Sequence, residues 1–180
     1  LHESGCFVIP HPWNAGTALY LQGLGFKALA TTSSGYAHSQ GYSDGEVTRD
    51  MVLTHCREIA SAADVPVNAD FEGGYAHDPA AVAANVRLCI DTGVAGLSIE
   101  DFTGDEADPL YDFDMAVRRV RAARRAIDEA GSDVVFTART EGFIHGRPDM
   151  AETVRRLKAF ADAGADCLYA PGIRTREQIE

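Results

Sequence analysis

At 180 residues and 19.3 kDa, the chain has room for one domain of ordinary size and hardly for two. Hydrophobic residues make up 46% and charged residues 24%, the balance of a soluble globular protein with a sizeable core. Sixteen Lys and Arg against 27 Asp and Glu give a net charge of −11. That charge repels phosphate backbones and anionic lipid, so nucleic acid and membrane surfaces are excluded as first partners.

No apolar run approaches the ~20 residues of a membrane-spanning helix, and the N-terminus carries no signal-peptide pattern. Four cysteines (Cys6, Cys56, Cys89 and Cys167) stand far apart with no CxxC pair. The spacing argues against a zinc cluster and for a reducing compartment, which predicts a cytoplasmic protein with all four thiols buried as small hydrophobes. The first residue is Leu, so the natural start is expected to lie upstream.

Along the chain, apolar runs of strand length alternate with amphipathic stretches of helix length. Strand Cys6–Pro10 precedes a helix from Asn14 to Leu24, stopped at Gly25. Strand Phe26–Thr32 is followed by a Gly/Ser/Tyr loop and then by helix Thr48–Ala63, whose Met51, Leu53, Ile59 and Ala60 fit one buried face. Strand Val65–Asp70 leads to a helix opened by Pro79, a favoured first-turn residue, and ended at Gly93. Strand Ala95–Glu100 precedes helix Phe113–Ala130, and strand Val134–Arg139 precedes helix Met150–Ala163. Strand Cys167–Ala170 and a helix starting at Thr175 complete the series.

Six such units, the last cut short, predict right-handed βαβ crossovers and a parallel sheet. Asp70, Glu100 and Arg139 all fall at C-terminal strand ends. A barrel gathers those ends on one face, whereas an open sheet shares a site only at its switch point. The expected fold is therefore α/β, a (β/α)8 barrel with about six of its eight units present. Residues 1–180 are expected to form a single barrel domain lacking its last two strands.

The chemistry concentrates at those strand ends. Asp70 and Glu72, in Asn68-Ala-Asp-Phe-Glu-Gly-Gly-Tyr75, crowd two carboxylates before a Gly-Gly turn. Such a pair either needs a cation or protons, or caps backbone amides and faces water. Glu100-Asp101 adds acids at the next strand end, and Asp44 lies in Gly41-Tyr-Ser-Asp-Gly45. Oxygen-only donors suit a hard cation such as Mg²⁺, which takes one or two carboxylates and keeps several waters. Arg139 presents a planar fork that matches a carboxylate or phosphonate, or alternatively pairs with Glu141 or Glu100. Thr31-Thr-Ser-Ser-Gly-Tyr36 has the small residues and hydroxyls of an anion-binding loop, without the Gly-Lys-Ser/Thr ending of a P-loop.

Together these motifs resemble the isocitrate lyase/phosphoenolpyruvate mutase superfamily. The resemblance runs from Ile9-Pro-His-Pro-Trp-Asn-Ala-Gly-Thr-Ala18 through Asn68–Tyr75, Val94–Asp101 and Thr137-Ala-Arg-Thr-Glu141 to Ala163–Tyr169. It implies a modified β/α barrel that binds Mg²⁺, with Mn²⁺ as a substitute, and forms or cleaves a C–C or P–C bond beside an α-oxo acid through a pyruvate enolate. On this resemblance Asp70 is the direct metal ligand, while Glu72, Glu100 and Asp44 hold the metal's waters. Asp44 and Arg139 count as catalytic. Ser34, Gly35 and Tyr36 grip the pyruvoyl carboxylate and oxyanion, and Arg139 holds the substrate's acid group. The substrate is a small oxo acid or a phosphonate, and the full-length protein is expected to be a homo-oligomer.

One departure matters for the reaction. The lyase branch carries its acid cysteine on a Lys-Lys-Cys-Gly-His segment after the fourth strand. Here that stretch reads Phe102-Thr-Gly-Asp-Glu-Ala-Asp-Pro-Leu-Tyr111, short, acidic and without cysteine. This favours α-oxo acid decarboxylation or phosphonopyruvate-type hydrolysis as an alternative, with an inert oxo-acid-binding barrel as the other. The six histidines form no metal-binding spacing; His77 and His145 sit in loops near strand ends. Arg118, Arg119, Arg121, Arg124 and Arg125 are read as one solvated helix face.

Overall fold

The computed structural model describes residues 1–180. The chain divides into two compact units, Leu1–Phe71 with Leu88–Leu97, and Glu72–Arg87 with Ser98–Glu180.

In the first unit, α1 (Ala15–Gly23) begins where the Asn14 side chain accepts the Thr17 amide at 2.8 Å and Thr17 Oγ1 accepts the Asn14 amide at 3.2 Å. This reciprocal cap satisfies two amides that the first turn would otherwise leave open. β1 (Leu29–Ala30), α2 (Ser33–Ser39), α3 (Arg49–Ala62) and β2 (Val67–Asp70) follow. Ala18, Leu29, Ile59 and Val67 form the buried nucleus of this unit, with Leu21, Ala63 and Val65 packed on it. α4 (Pro79–Ile90) and β3 (Gly96–Glu100) each contribute residues to both units.

The second unit holds α5 (Phe113–Glu129), β4 (Val135–Arg139), α6 (Met150–Asp162), β5 (Cys167–Tyr169) and α7 (Arg176–Ile179). Asp112 and Asp149 cap α5 and α6 by accepting the Met115 and Glu152 amides at 2.9 and 3.0 Å. Aspartate there also complements the positive end of the helix dipole.

The five strands form one sheet in the order β1-β2-β3-β4-β5. β1 pairs with β2 in parallel, with Leu29 opposite Val67, and β4 pairs with β5, with Thr137 opposite Cys167. Spatial order thus repeats chain order. An open doubly wound sheet reverses direction at its switch point, whereas a β/α barrel adds each strand beside the last. The fold is α/β of the barrel type. No helix is long and apolar enough to cross a membrane.

Four expectations are corrected. Cys6–Pro10 does not form a strand: its one ladder-like bond is Ala30 N–H to the Pro10 carbonyl at 3.1 Å, and proline has no amide to return. The Ser/Gly/Tyr loop is the short helix α2, because Thr32 Oγ1 accepts the Gly35 amide at 3.1 Å and so caps a helical turn. A Cβ at Gly35 would lie 2.6 Å from Thr32 Cγ2, so only glycine allows that cap. The cysteines differ in burial: Cys56 and Cys89 are buried, Cys167 is partly covered and Cys6 is exposed. Finally, α5 is not evenly solvated, since Arg119 is 1% exposed and shares the inward stripe with Ala116, Val120 and Ala123.

Candidate active site

In the first unit, Asp70 ends β2 half-buried, and its Oδ2 accepts both the Ser33 amide and the Ser33 hydroxyl at 3.0 Å. The Asp70 amide donates to Thr31 Oγ1 at 2.9 Å. The β2 carboxylate therefore docks on the first turn of α2, the helix carrying Ser34, Gly35 and Tyr36. Thr32 takes the Gly35 amide with its hydroxyl and the Tyr36 amide with its carbonyl, at 3.1 and 2.9 Å.

The Tyr36 ring stacks on His55 of α3, with centroids 4.0 Å apart and planes 15° from parallel. His55 is 2% exposed and its Nε2 has no hydrogen-bond partner. Burial pulls its pKa down to about 4, and burial likewise raises that of the Tyr36 phenol. Both groups are thus neutral near pH 7. Asp44 lies in an exposed turn closed by the Glu46 amide on the Ser43 carbonyl at 3.2 Å, and makes no bond to the other candidate residues.

In the second unit, Glu72 and Tyr75 adopt left-handed backbone at φ 45° and 54°. Non-glycine residues hold that conformation only where their surroundings over-determine it. Tyr75 Oη donates to Glu72 Oε1 at 2.8 Å, and the Glu72 carbonyl accepts the Glu100 amide at 3.0 Å. The turn therefore aims the Glu72 carboxylate and ties its backbone to the end of β3.

Glu100 ends β3 and Arg139 ends β4. Arg139 Nη2 lies 3.4 Å from Glu100 Oε2, and both Nε and Nη2 lie 2.9 Å from Glu141 Oε1. The guanidinium also sits over the Tyr169 ring at 5.2 Å. The pairing alternative considered for Arg139 is thus present with both glutamates. Glu141 is buried, which pushes its pKa up against the opposing pull of Arg139.

Glu100 and Asp101 part company. Asp101 is buried and accepts Thr140 Oγ1 at 2.8 Å, the Glu141 amide at 2.9 Å and Arg156 Nη1 at 3.0 Å. Arg156 Nη1 also donates to the Tyr111 carbonyl at 2.9 Å. Asp101 thereby fixes the segments following β3 and β4. The stretch Phe102–Tyr111 is closed on itself, with Phe102 bridged to Leu110 and Thr103 Oγ1 donating to the Asp108 carbonyl at 2.6 Å. Phe102 stacks on His145 at 3.8 Å, and His145 Nδ1 meets Glu106 Oε1 at 3.1 Å.

The carboxylates named for a cation are Asp70 in the first unit and Glu72 and Glu100 in the second. All offer oxygen alone, the donor chemistry of a hard cation. No group of three or more His, Cys, Asp or Glu side chains forms a ready cage. Mg²⁺ does not need one, because it retains waters and takes only one or two carboxylates directly. Taken one by one, each of these carboxylates has the donor chemistry that Mg²⁺ takes.

Sequence reasoning placed Arg119 on a solvated face and did not single out Arg156 or the structural role of Asp101. A signal was present. Arg119 stands three residues after Ala116 and four before Ala123, and Arg156 stands three after Thr153 and four before Phe160, all of them buried. Each arginine occupies a position of its helix's inward stripe.

A family model described as phosphoenolpyruvate phosphomutase matches residues 1–180. The chain belongs to that family. A solved Burkholderia cenocepacia J2315 protein described only as a lyase/mutase is 46% identical over 99% of this chain and 64% of its own, with a TM-score of 0.96. The 2-methylisocitrate lyase of Escherichia coli is 33% identical over 89% of this chain and 55% of its own length. A phosphonopyruvate hydrolase solved with oxalate and Mg²⁺ is 26% identical over 96% of this chain and 61% of its own, with a TM-score of 0.87. The chain therefore spans 55 to 64% of these proteins. These relatives are described as a lyase/mutase, a lyase and a hydrolase.

Proposed function

We propose that the protein is an Mg²⁺-dependent enzyme that cleaves or forms a C–C or P–C bond beside an α-oxo acid, by way of a pyruvate enolate. The supporting observation is the series of charged groups at successive strand ends, with Asp70 on β2, Glu100 on β3 and Arg139 on β4. On this reading Asp70 holds the cation directly, and Glu72, Glu100 and Asp44 hold its waters. When bound, Mg²⁺ supplies a Lewis acid that stabilises negative charge developing on the oxo oxygen.

The chain's own groups do the rest. Ser34, Gly35 and Tyr36 receive the pyruvoyl carboxylate, with the Tyr36 ring immobilised by His55. Arg139 holds the substrate's acid group, oriented by Glu141 at one edge and by Tyr169 beneath. Donors fixed in advance do not reorganise as charge develops, which is the main source of such catalysis.

Decarboxylation or hydrolysis is the second reading. It is favoured by the post-β3 stretch, which holds no thiol and is pinned by Thr103, Phe102 and Glu106. The function of the full-length protein is tested by titrating oxalate, a planar mimic of the enolate, with and without Mg²⁺ in a calorimeter. The expected outcome is binding that requires Mg²⁺ and is lost in Asp70→Ala while the variant melts as the parent does. Binding indifferent to Mg²⁺ or to Asp70 would overturn the assignment. Binding without turnover of any oxo acid or phosphonopyruvate would make the protein an inert oxo-acid binder.

A further inference from the structure

We propose that Arg119 is a positioning residue of the candidate site, aiming the Glu72 carboxylate through the backbone of the Gly73–His77 turn. The inference rests on the reading of Glu72 as a carboxylate that holds the cation's waters.

Arg119 rises from the inward stripe of α5 and is 1% exposed. Its Nη1 donates to the Ala76 and His77 carbonyls at 2.6 and 2.7 Å, and its Nη2 donates to the Gly73 carbonyl. The Tyr111 ring covers the guanidinium at 4.1 Å, and the Tyr111 hydroxyl bonds His77 Nδ1. The partners of this buried cation are carbonyls and a ring, and its Nε makes no hydrogen bond. Burial lowers its pKa, as expected where no carboxylate is bonded to it.

A second side chain completes the clamp. Asn85 Nδ2 donates to the Gly74 carbonyl at 2.8 Å and approaches that of Tyr75 at 3.4 Å. Five consecutive carbonyls, Gly73 to His77, are thus held by two side chains.

The consequence falls on Glu72. Tyr75 reaches back to Glu72 Oε1 only because its backbone is left-handed, and Glu72 is itself left-handed. Neither conformation is favoured by the residue that adopts it. A buried charge is costly, and an apolar side chain of similar volume would fill the stripe as well. What the fork adds is direction. It fixes the peptide planes after Gly73, Ala76 and His77, on both sides of the two carbonyls that Asn85 holds, and so fixes the turn from which Tyr75 Oη reaches Glu72. Lysine, a point charge with no planar fork, cannot hold three carbonyls in that geometry.

The test is calorimetric titration of Mn²⁺ into the full-length protein and its Arg119→Lys, Glu72→Gln and doubly substituted forms, with thermal melts recorded for each. Arg119→Lys is expected to weaken Mn²⁺ about tenfold or more, the usual effect of disturbing a group that orients a metal's surroundings. The double variant is expected to bind within about twofold of Glu72→Gln alone, because both changes act on one carboxylate.

Should Arg119→Lys fail to melt cooperatively, Gly73→Ala reads the same contact, since its Cβ would lie 3.2 Å from Arg119 Nη2. It is expected to weaken Mn²⁺ several-fold. Unchanged affinity in the Arg119 and Gly73 variants, with Glu72→Gln weakened, overturns the inference alone. Losses that multiply in the double variant also overturn it. Unchanged affinity in Glu72→Gln removes the reading of Glu72 and the inference with it.

Discussion

His55 is a neutral imidazole held between the core of α3 and the Tyr36 ring. Its folded pKa of about 4 lies below the ordinary 6.5. Between those values the unfolded chain takes up a proton that the folded one refuses, so stability falls as pH falls through that window. The difference amounts to about 3 kcal/mol once pH reaches 4. His55→Phe keeps a ring on Tyr36 and removes the titration. Across urea midpoints at pH 6.5, 5 and 4, the variant is expected to lose about 3 kcal/mol less than the parent on acidification. Parallel midpoints would mean that the ring is protonated without cost. The same stack bears on the site, because Tyr36 cannot swing away from α2 without exposing His55.

At the scale of elements, the ends of β3 and β4 are locked by a buried ion pair between Asp101 and Arg156. Removing one partner leaves the other charge buried and unpaired. Asp101→Ala is therefore expected to cost about 3–5 kcal/mol in chemical denaturation. Arg176→Ala, which breaks an exposed pair with Glu180, is expected to cost less than about 1 kcal/mol. Equal costs would place the Asp101 pair in water.

The two helices that supply buried arginines show where sequence reading falls short. The spans of α5 and α6 were legible from the amphipathic stretches that follow strand-length apolar runs. Arg119 was assigned to a solvated face with its neighbours and Arg156 was passed over, although both occupy stripe positions. Burial of a cation depends on what lies opposite it, here the carbonyls of one turn and the carboxylate of Asp101. Those partners are 42 to 55 residues away in sequence, so no local pattern could announce them. The strand-end carboxylates were legible for the opposite reason, since an acid ending an apolar run stands out without knowledge of its neighbours.

For the whole molecule, β5 stands at one edge of the sheet, with Leu168 43% and Tyr169 48% exposed. An apolar edge strand is a template for pairing with another chain. The 180-residue chain, prepared as it stands, is expected to self-associate in a concentration-dependent way, and Leu168→Lys to suppress this in sedimentation velocity. Association unaffected by that change would place the contact elsewhere. The alternation of strands and helices made the barrel order readable from sequence. The short β1 and the unpaired Cys6–Pro10 were not, because strand length is decided by pairing partners rather than by the run itself.

The order β1-β2-β3-β4-β5 has a bearing on how the chain is made. Each strand lies beside the one synthesised just before it, so none waits for a distant partner to leave the ribosome. A ribosome adding roughly 5–20 residues per second delivers one strand–helix unit of about thirty residues in a few seconds. That is ample time for the unit to dock on its predecessor before the next one emerges.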